Sequence, residues 1–499
     1  MLYNIMKIYI KYLLKAHIFT ASYFCVLERY GSFMKIFRPE DEILNKVSHI
    51  HMIGIGGSGM CPLAEILHSK GYSITGSDNN ESDPLKRIIA LGIPVFMGHK
   101  KENIKNAQLI VYSAAISKDN PELIAAKEQN IPTMERSVLL GIITRKFDNV
   151  IGVCGTHGKT TVTSMITQIL CINGKDPTAV IGGKLPLINA NGRAGDSENM
   201  VCESCEFVET FLKLSPDKAV LLNIDNDHLD YFKTMENLVN AFKKFVEMAS
   251  LVFYNGDDKL SNTAVKNCKN KISFGLNKDN DFYADDITNG LLGLKFKIYK
   301  NNADTEKPEF LTEMELSIPG KHNVYNALAA FCVCFNMGIA PKDIVSALDN
   351  FNGAGRRFEK IYSNNTLTII DDYAHHPTEI AATLKAAKSL PFKRVTVLFQ
   401  PFTFSRTELL LNDFIKSLSI ADRVVLTPIM GSREINKSGI SSDDIAKGLK
   451  NVKCVQSFNE ASEYLLSTAQ KGDLIITMGG GDIYKAAHIM RDTLNKINE

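Results

Sequence analysis

Asn149-Val-Ile-Gly-Val-Cys-Gly-Thr-His-Gly-Lys-Thr-Thr161 decides the fold of this chain. Its first six residues make an apolar run of strand length, and a helical stretch follows to Leu170. Strand, glycine-flanked turn and helix in that order form a phosphate cradle: small residues let backbone N–H groups close on phosphate oxygens, and the helix N-terminus adds its dipole. The loop is Gly155, Thr156, His157, Gly158, Lys159, Thr160 and Thr161. In this pattern the lysine meets the β- and γ-phosphates of ATP, and the hydroxyl after it ligates Mg²⁺. The strict form of the pattern has glycine where this chain has Val153.

Upstream, Ser48-His-Ile-His-Met-Ile-Gly-Ile reads as a buried strand running into Gly54-Ile-Gly56-Gly57-Ser58-Gly59-Met60, with a helix expected over 62–70. Asp78 lies 19 residues beyond Gly59, at the end of the next expected strand. By itself this is a dinucleotide fingerprint with an acid placed for a ribose hydroxyl. Two phosphate cradles imply two phosphorylated ligands: ATP at the second, and either NAD or a sugar nucleotide at the first. A nicotinamide oxidoreductase reading of the first loop leaves Lys159 and the acids below unexplained.

Downstream, Glu203-Ser-Cys-Glu206 and Asp225-Asn-Asp227-His228-Leu-Asp230 each follow an apolar strand in the unit that holds Lys159. Ligands bind at such carboxyl ends in open parallel sheets. Oxygen donors with one imidazole suit Mg²⁺ or Mn²⁺ beside a triphosphate. Glu209 and Asp230 read as solvated charges. Residues 272–318 alternate as in an antiparallel excursion, and 323–337 form a helix rich in Ala. A third alternating unit follows Phe351-Asn-Gly-Ala-Gly-Arg356-Arg357. In it, Asp371-Asp-Tyr373-Ala-His375-His376-Pro377 and Phe399-Gln-Pro-Phe402-Thr-Phe-Ser-Arg406 end strands. Arg406 suits an anionic ligand; Arg356 and Arg357 suit either an anion or a solvated hinge. No cysteine lies near the histidine pair in sequence and no His-x-x-x-His occurs, so zinc is not expected there.

The fold class is therefore α/β, with three consecutive units: Rossmann-like, central P-loop-type sheet, and Rossmann-like again. The expected boundaries are 46–147, 148–350 and 351–499, after an N-terminal extension, 1–45, without assigned role. The 499 residues, 45% hydrophobic and 22% charged, fit about three globular domains. Lys plus Arg (57) nearly balances Asp plus Glu (55), which gives no electrostatic case for a nucleic acid partner. Ten scattered cysteines read as free thiols of a reducing cytoplasm, and Cys202-x-x-Cys205 lacks a second pair for a structural metal. Within residues 1–33, Lys7, Lys11 and Lys15 share one helical face, and Met34 is an alternative start. The longest uncharged stretch there, 16–27, falls short of the about 20 residues a membrane span needs, so no stable membrane insertion is expected.

Taken in order, Gly-Ile-Gly-Gly-Ser-Gly-Met, Gly-Thr-His-Gly-Lys-Thr-Thr, Glu-Ser-Cys-Glu, Asn-Ile-Asp-Asn-Asp-His, Gly-Lys-His-Asn-Val-Tyr-Asn-Ala, Gly-Arg-Arg-Phe and Asp-Tyr-Ala-His-His-Pro make the chain resemble the Mur ligases of peptidoglycan synthesis, from about residue 46 to the end. The resemblance implies ATP-dependent joining of L-alanine to the carboxylate of UDP-N-acetylmuramate through an acyl phosphate, in the cytoplasm, by a monomer or homodimer. It implies that the first domain holds the UDP-sugar and not NAD, with Gly57, Ser58 and Gly59 near its pyrophosphate and Asp78 toward the uridine. It places ATP on Gly155–Thr161 with Asn323 and Asn326 at the adenine, and the metal on Thr160, Glu203 and His228. Lys159, Glu203, His228, His375 and Arg406 are the implied catalytic set, with Tyr373 beside them, His375 near the incoming amine and a hinge at 351–357. Where relatives carry His in a Phe-Gln-Pro-His pattern, this chain has Phe402, which is left out of the site.

Overall fold

The computed structural model describes residues 38–289, 293–302, 307–349, 351, 353–432 and 434–498. The reading of residues 1–33 lies outside them. The chain divides into two compact units, Met1–Glu42 and Ile43–Glu499. The described part of the first holds a 3-10 turn, Pro39–Glu42. All that follows belongs to the second.

That second unit contains three sheets. In the first, five parallel strands run in the order Val95–Met97, Ser73–Asp78, His49–Ile53, Leu109–Tyr112, Thr133–Glu135. The middle strand, His49–Ile53, is buried along nearly its whole length and feeds the Gly54–Gly59 turn and then the helix Cys61–Ser69. Burial on both strand faces is what a sheet covered on both sides requires.

The central sheet has ten strands, with Asn149–Cys154 between Lys218–Leu221 and Asn199–Glu203. Beyond Lys218–Leu221 come Leu251–Asn255 and Lys271–Gly275, still parallel, then a meander of Phe282–Asn289, Leu294–Lys300 and Glu309–Leu316. The antiparallel excursion therefore starts after Gly275, later than the alternation suggests. The opposite edge is a hairpin, Thr178–Leu185 with Ala190–Arg193.

The helix after the phosphate loop, Lys159–Ile172, is buried over Thr160–Leu170 and packs on the equally buried Lys321–Asn336. Threonines survive there because Thr163 Oγ1 donates to the Lys159 carbonyl (2.8 Å) and Thr167 Oγ1 to the Thr163 carbonyl (2.7 Å). On the other sheet face, the Phe211 and Phe245 rings stack at 4.7 Å with Phe242 edge-on to Phe211. Phe245 is fully buried. Phe245→Ala is expected to destabilise the protein by about 3–5 kcal/mol, read as a lower denaturation midpoint at unchanged m-value.

The third sheet orders Glu359–Ser363, Leu367–Asp372, Asp473–Met478, Arg394–Phe399, Arg423–Leu426 and Val452–Cys454, parallel except at the first edge.

Close approaches fix the sheets against one another. A Cβ on Gly192 would lie 2.5 Å from Pro62 Cβ, so the hairpin meets the Gly-rich-loop helix only as glycine. A Cβ on Gly141 would run into the Lys213 carbonyl. Gly355 N–H donates to the Lys184 carbonyl at 2.6 Å, tying the link to the third sheet back onto the hairpin.

The link itself corrects the reading of Arg356. Neither a free anion holder nor a solvated hinge, its guanidinium donates to Asp371 Oδ2 (2.7 Å) and to the Gly479 and Gly481 carbonyls (2.8 Å each). Part of the expected hinge, residue 352, lies outside the described residues.

Candidate active site

The phosphate loop is built by glycine and by its neighbour strand. Gly155 (φ +138°) and Gly158 (φ +88°) take backbone that L side chains rarely adopt. A Cβ on Gly158 would also strike Asn326 Oδ1 at 2.5 Å. Asn223, just past Lys218–Leu221, pins the loop: its Oδ1 accepts from His157 N–H (2.8 Å), its Nδ2 donates to the His157 carbonyl (3.0 Å), and its carbonyl accepts from Thr156 N–H (2.9 Å). The sequence reading took Asn223 only as part of a motif.

Lys159 points back over the loop. Nζ donates to the Gly155 carbonyl (2.5 Å) and the Thr156 carbonyl (3.0 Å) and pairs with Glu206 at 2.9 Å. Burial opposes the charge, but the Glu206 carboxylate outweighs it, so the ammonium is held above its ordinary pKa. Thr160 Oγ1 donates to Glu203 Oε1 (3.1 Å), and Gly182 N–H donates to Glu203 Oε2 (2.7 Å). Two of the three expected metal donors thus sit side by side. His228, the third, has left-handed backbone (φ +55°), lies 3.6 Å from Asp227 and packs on Phe207 at 4.7 Å.

The third sheet contributes across the gap. Arg406 Nη2 donates to Asp227 Oδ1 at 2.9 Å, so this arginine already has an acid partner on the central sheet. His157 stands between Asp225 (Nε2 to Oδ2, 3.0 Å) and Glu379 of the helix Pro377–Lys388 (Nδ1 to Oε1, 3.4 Å). Burial works against its charge, yet the two carboxylates lift its pKa to about 9. One ring nitrogen each of His157 and His376 and a carboxylate oxygen of Asp225 lie within 4.8 Å of one another. Spacing could not reveal this cluster, whose members come from three separate motifs.

His375 Nδ1 lies 3.1 Å from the Tyr373 carbonyl, which can only accept, so Nδ1 carries the proton and Nε2 keeps its lone pair. The Arg356 and Arg357 guanidinium groups each lie over the Tyr373 ring, at 5.0 and 5.2 Å from its centroid. Phe402, left out of the expected site, packs edge-to-face on His375 at 5.9 Å. Burial pushes the His375 pKa down to about 4, with Glu379 opposing. Unfolded His375 takes up a proton below about 6.5 while the folded ring does so only near 4. Stability is therefore fully present above 6.5 and falls as pH drops through that window, by roughly 2 kcal/mol. Urea titrations from pH 7 to 4.5 check this; His375→Gln flattens the slope.

Beside the loop, a cavity of about 220 Å³ is lined by Gly158, Thr161, Phe274, Asn323, Asn326 and Ala386 among others. Asn326 Nδ2 donates to Asn323 Oδ1 (3.0 Å), and Asn323 Nδ2 to the Pro319 carbonyl (2.7 Å).

In the first sheet, Gly57 and Ser58 are exposed and Gly59 half-buried. Both Asp78 oxygens accept backbone N–H groups, from Gly56 and Asn80 (3.0 Å each), so the acid shapes the turn. The reading missed Arg136: its Nη1 lies 2.9 Å from where a Gly59 Cβ would be, putting a guanidinium over the loop. Glu209 is half-buried near Lys244 and Tyr231, not freely solvated. Among the described residues the nine cysteines are free thiols, and no helix is long and apolar enough to cross a membrane.

Three family models match the chain in the order of its sheets: the Mur ligase family catalytic domain over residues 49–148, the Mur ligase middle domain over 153–334 and the Mur ligase glutamate ligase domain over 356–481. Proteins named UDP-N-acetylmuramate–L-alanine ligase are similar along almost their whole length. The one from Clostridium botulinum strain Langeland is 43% identical over 460 residues, 90% of this chain and 98% of its own. That from Acetivibrio thermocellus is 43% identical over 457 residues, 89% and 96%. Among solved structures, the UDP-N-acetylmuramate-alanine ligase of Thermotoga maritima superposes with TM-score 0.78 at 28% identity, covering 90% of this chain and 99% of that one. A murein peptide ligase from Psychrobacter arcticus shares the fold, with TM-score 0.69 at 23% identity over 90% and 98%. With three sheets, a lysine-bearing phosphate loop and this full-length similarity, the chain belongs to the Mur ligase family.

Proposed function

We propose that this chain joins L-alanine to the lactyl carboxylate of UDP-N-acetylmuramate at the expense of ATP, a step of peptidoglycan precursor synthesis in the cytoplasm. The observation that carries the reading is 43% identity over 90% of the chain to relatives of that name. The geometry supports the following course of reaction.

ATP sits with its phosphates in Gly155–Thr161 and its base in the cavity at Asn323 and Asn326. Gly57, Ser58 and Gly59 face the pyrophosphate of the UDP-sugar, with Asp78 holding the turn and Arg136 adding positive charge. A carboxylate is a poor acyl donor to an amine because oxide is a poor leaving group, so it must first be phosphorylated. Two anions, carboxylate and triphosphate, must then meet. Lys159 lowers that repulsion and stabilises the charge that develops on the transferred group. Thr160 Oγ1 and Glu203 Oε1, 3.1 Å apart, are hard oxygen donors that fit Mg²⁺, and His228 completes the proposed set. When bound, Mg²⁺ supplies charge neutralisation at the phosphates.

The amine of L-alanine then displaces phosphate from the acyl phosphate. The His375 lone pair on Nε2 accepts a hydrogen bond from the incoming amine and orients it, a role open to a ring that is neutral at pH 7. Arg406 and Asp227 bring the third sheet to the central one, and closure there keeps water from the acyl phosphate. Phosphate release with UDP-N-acetylmuramate tests the reading. It should depend on L-alanine and exceed by more than tenfold the release with the murein tripeptide; release driven by the tripeptide alone, or with no amino acid, overturns it.

A further inference from the structure

His376 is not used by this mechanism, and its surroundings are unusual. It is the N-cap of the helix Pro377–Lys388, a place that Ser, Thr, Asp or Asn normally fills. Its Nδ1 accepts the Thr378 backbone N–H at 3.3 Å. An accepting nitrogen carries no proton, so in the neutral ring the proton is on Nε2. The positive end of the helix disfavours a second proton, and burial acts in the same direction. The adjacent His375 has the opposite tautomer, with its proton on Nδ1. The two histidines therefore present one acceptor and one donor.

That donor has nothing to donate to. His376 is 5% exposed, and Nε2 is buried without a hydrogen-bond partner. A buried orphan N–H is costly and calls for a reason. The ring lies 5.6 Å from that of His157, centroid to centroid, so it stands at the phosphate loop although it belongs to the third sheet's helix. The charged groups around it are Asp227, Glu379, His157 and Arg406, with Asp225 within 4.8 Å. These acids are already engaged: Asp225 and Glu379 with His157, Asp227 with Arg406. What is missing is an acceptor that arrives with substrate between the loop and this helix.

We propose that His376 Nε2–H donates a hydrogen bond to an oxygen of the phosphoryl group passing from nucleotide to carboxylate, making His376 a catalytic residue. The inference rests on the ligase reading above and extends it. It also ties phosphoryl transfer to closure, because the donor rides on the third sheet while Lys159 rides on the central one.

His376→Asn is the informative variant, since Asn caps helices well but is too short to replace Nε2. It should fold with native stability, keep the KM for ATP within threefold and lose at least 30-fold in kcat. Loss in KM alone, or kcat within twofold of native, overturns the proposal. Should the variant fail to fold, the native full-length chain decides. With ¹⁵N-histidine labelling, the His376 Nε2–H proton should move downfield on adding ADP with aluminium fluoride and not with ADP alone. No shift at saturation overturns the proposal. A visible cobalt(II) absorption band in the nucleotide-free chain, absent from His376→Asn, would make the nitrogen a metal ligand and overturn it also. The labelling experiment needs no amino acid. A shift in a chain that joins no alanine would therefore remove the ligase reading and leave the His376 contact standing.

Discussion

Lys159→Ala is expected to lower kcat for ligation by about 10³-fold or more while leaving UDP-sugar binding within a few-fold of native. Lys159 Nζ stands over the loop, and the loop's own carbonyls hold it there. The substitution has a second effect. Glu206 is 1% exposed and loses its partner, so a buried carboxylate is left uncompensated. Stability should fall by roughly 3 kcal/mol, and Glu206→Gln placed on top of Lys159→Ala should restore much of it. It should not restore turnover. That separation distinguishes a lysine that acts on phosphate from one that only neutralises a buried acid. Phosphate release by rapid mixing, with chemical denaturation in parallel, reads both.

Glu203→Ala carries the second large effect, about 10²-fold or more in kcat, with a Mg²⁺ requirement raised at least tenfold. The carboxylate is oriented by two donors, Thr160 Oγ1 and Gly182 N–H, and a Cβ on Gly182 would crowd Oε2 at 2.5 Å. Such a tightly placed oxygen pair is preorganised for a hard cation. On the proposal that Thr160 and Glu203 hold one Mg²⁺, their losses should be less than additive in the double variant. Magnesium titrations of the two single variants and the double variant check this. Fully additive losses would place the residues in separate roles.

Local chemistry explains which features the sequence disclosed. The lysine loop was legible because glycine, lysine and threonine stand in consecutive positions between a strand and a helix. The strand Asn149–Cys154 was legible to the residue, being an apolar run closed by Gly155. The hairpin Thr178–Arg193 was not: Gly182 and Gly183 interrupt any alternation, and they are there because Glu203 and Thr160 approach too closely for side chains. The inter-sheet partners were also hidden. Glu379 meets His157 from 222 residues away and Arg406 meets Asp227 from 179, and no spacing rule reaches that far. Arg356 misled because a charged pair at a joint looks solvated, whereas two carbonyls and Asp371 engage all three of its side-chain nitrogens.

The most direct test of phosphoryl transfer to a carboxylate is isotopic. UDP-N-acetylmuramate bearing ¹⁸O in its lactyl carboxylate should release inorganic phosphate containing one ¹⁸O for every amide formed with L-alanine, as seen by mass spectrometry. Unlabelled phosphate alongside labelled AMP, or amide formed with no label leaving the carboxylate, would contradict it.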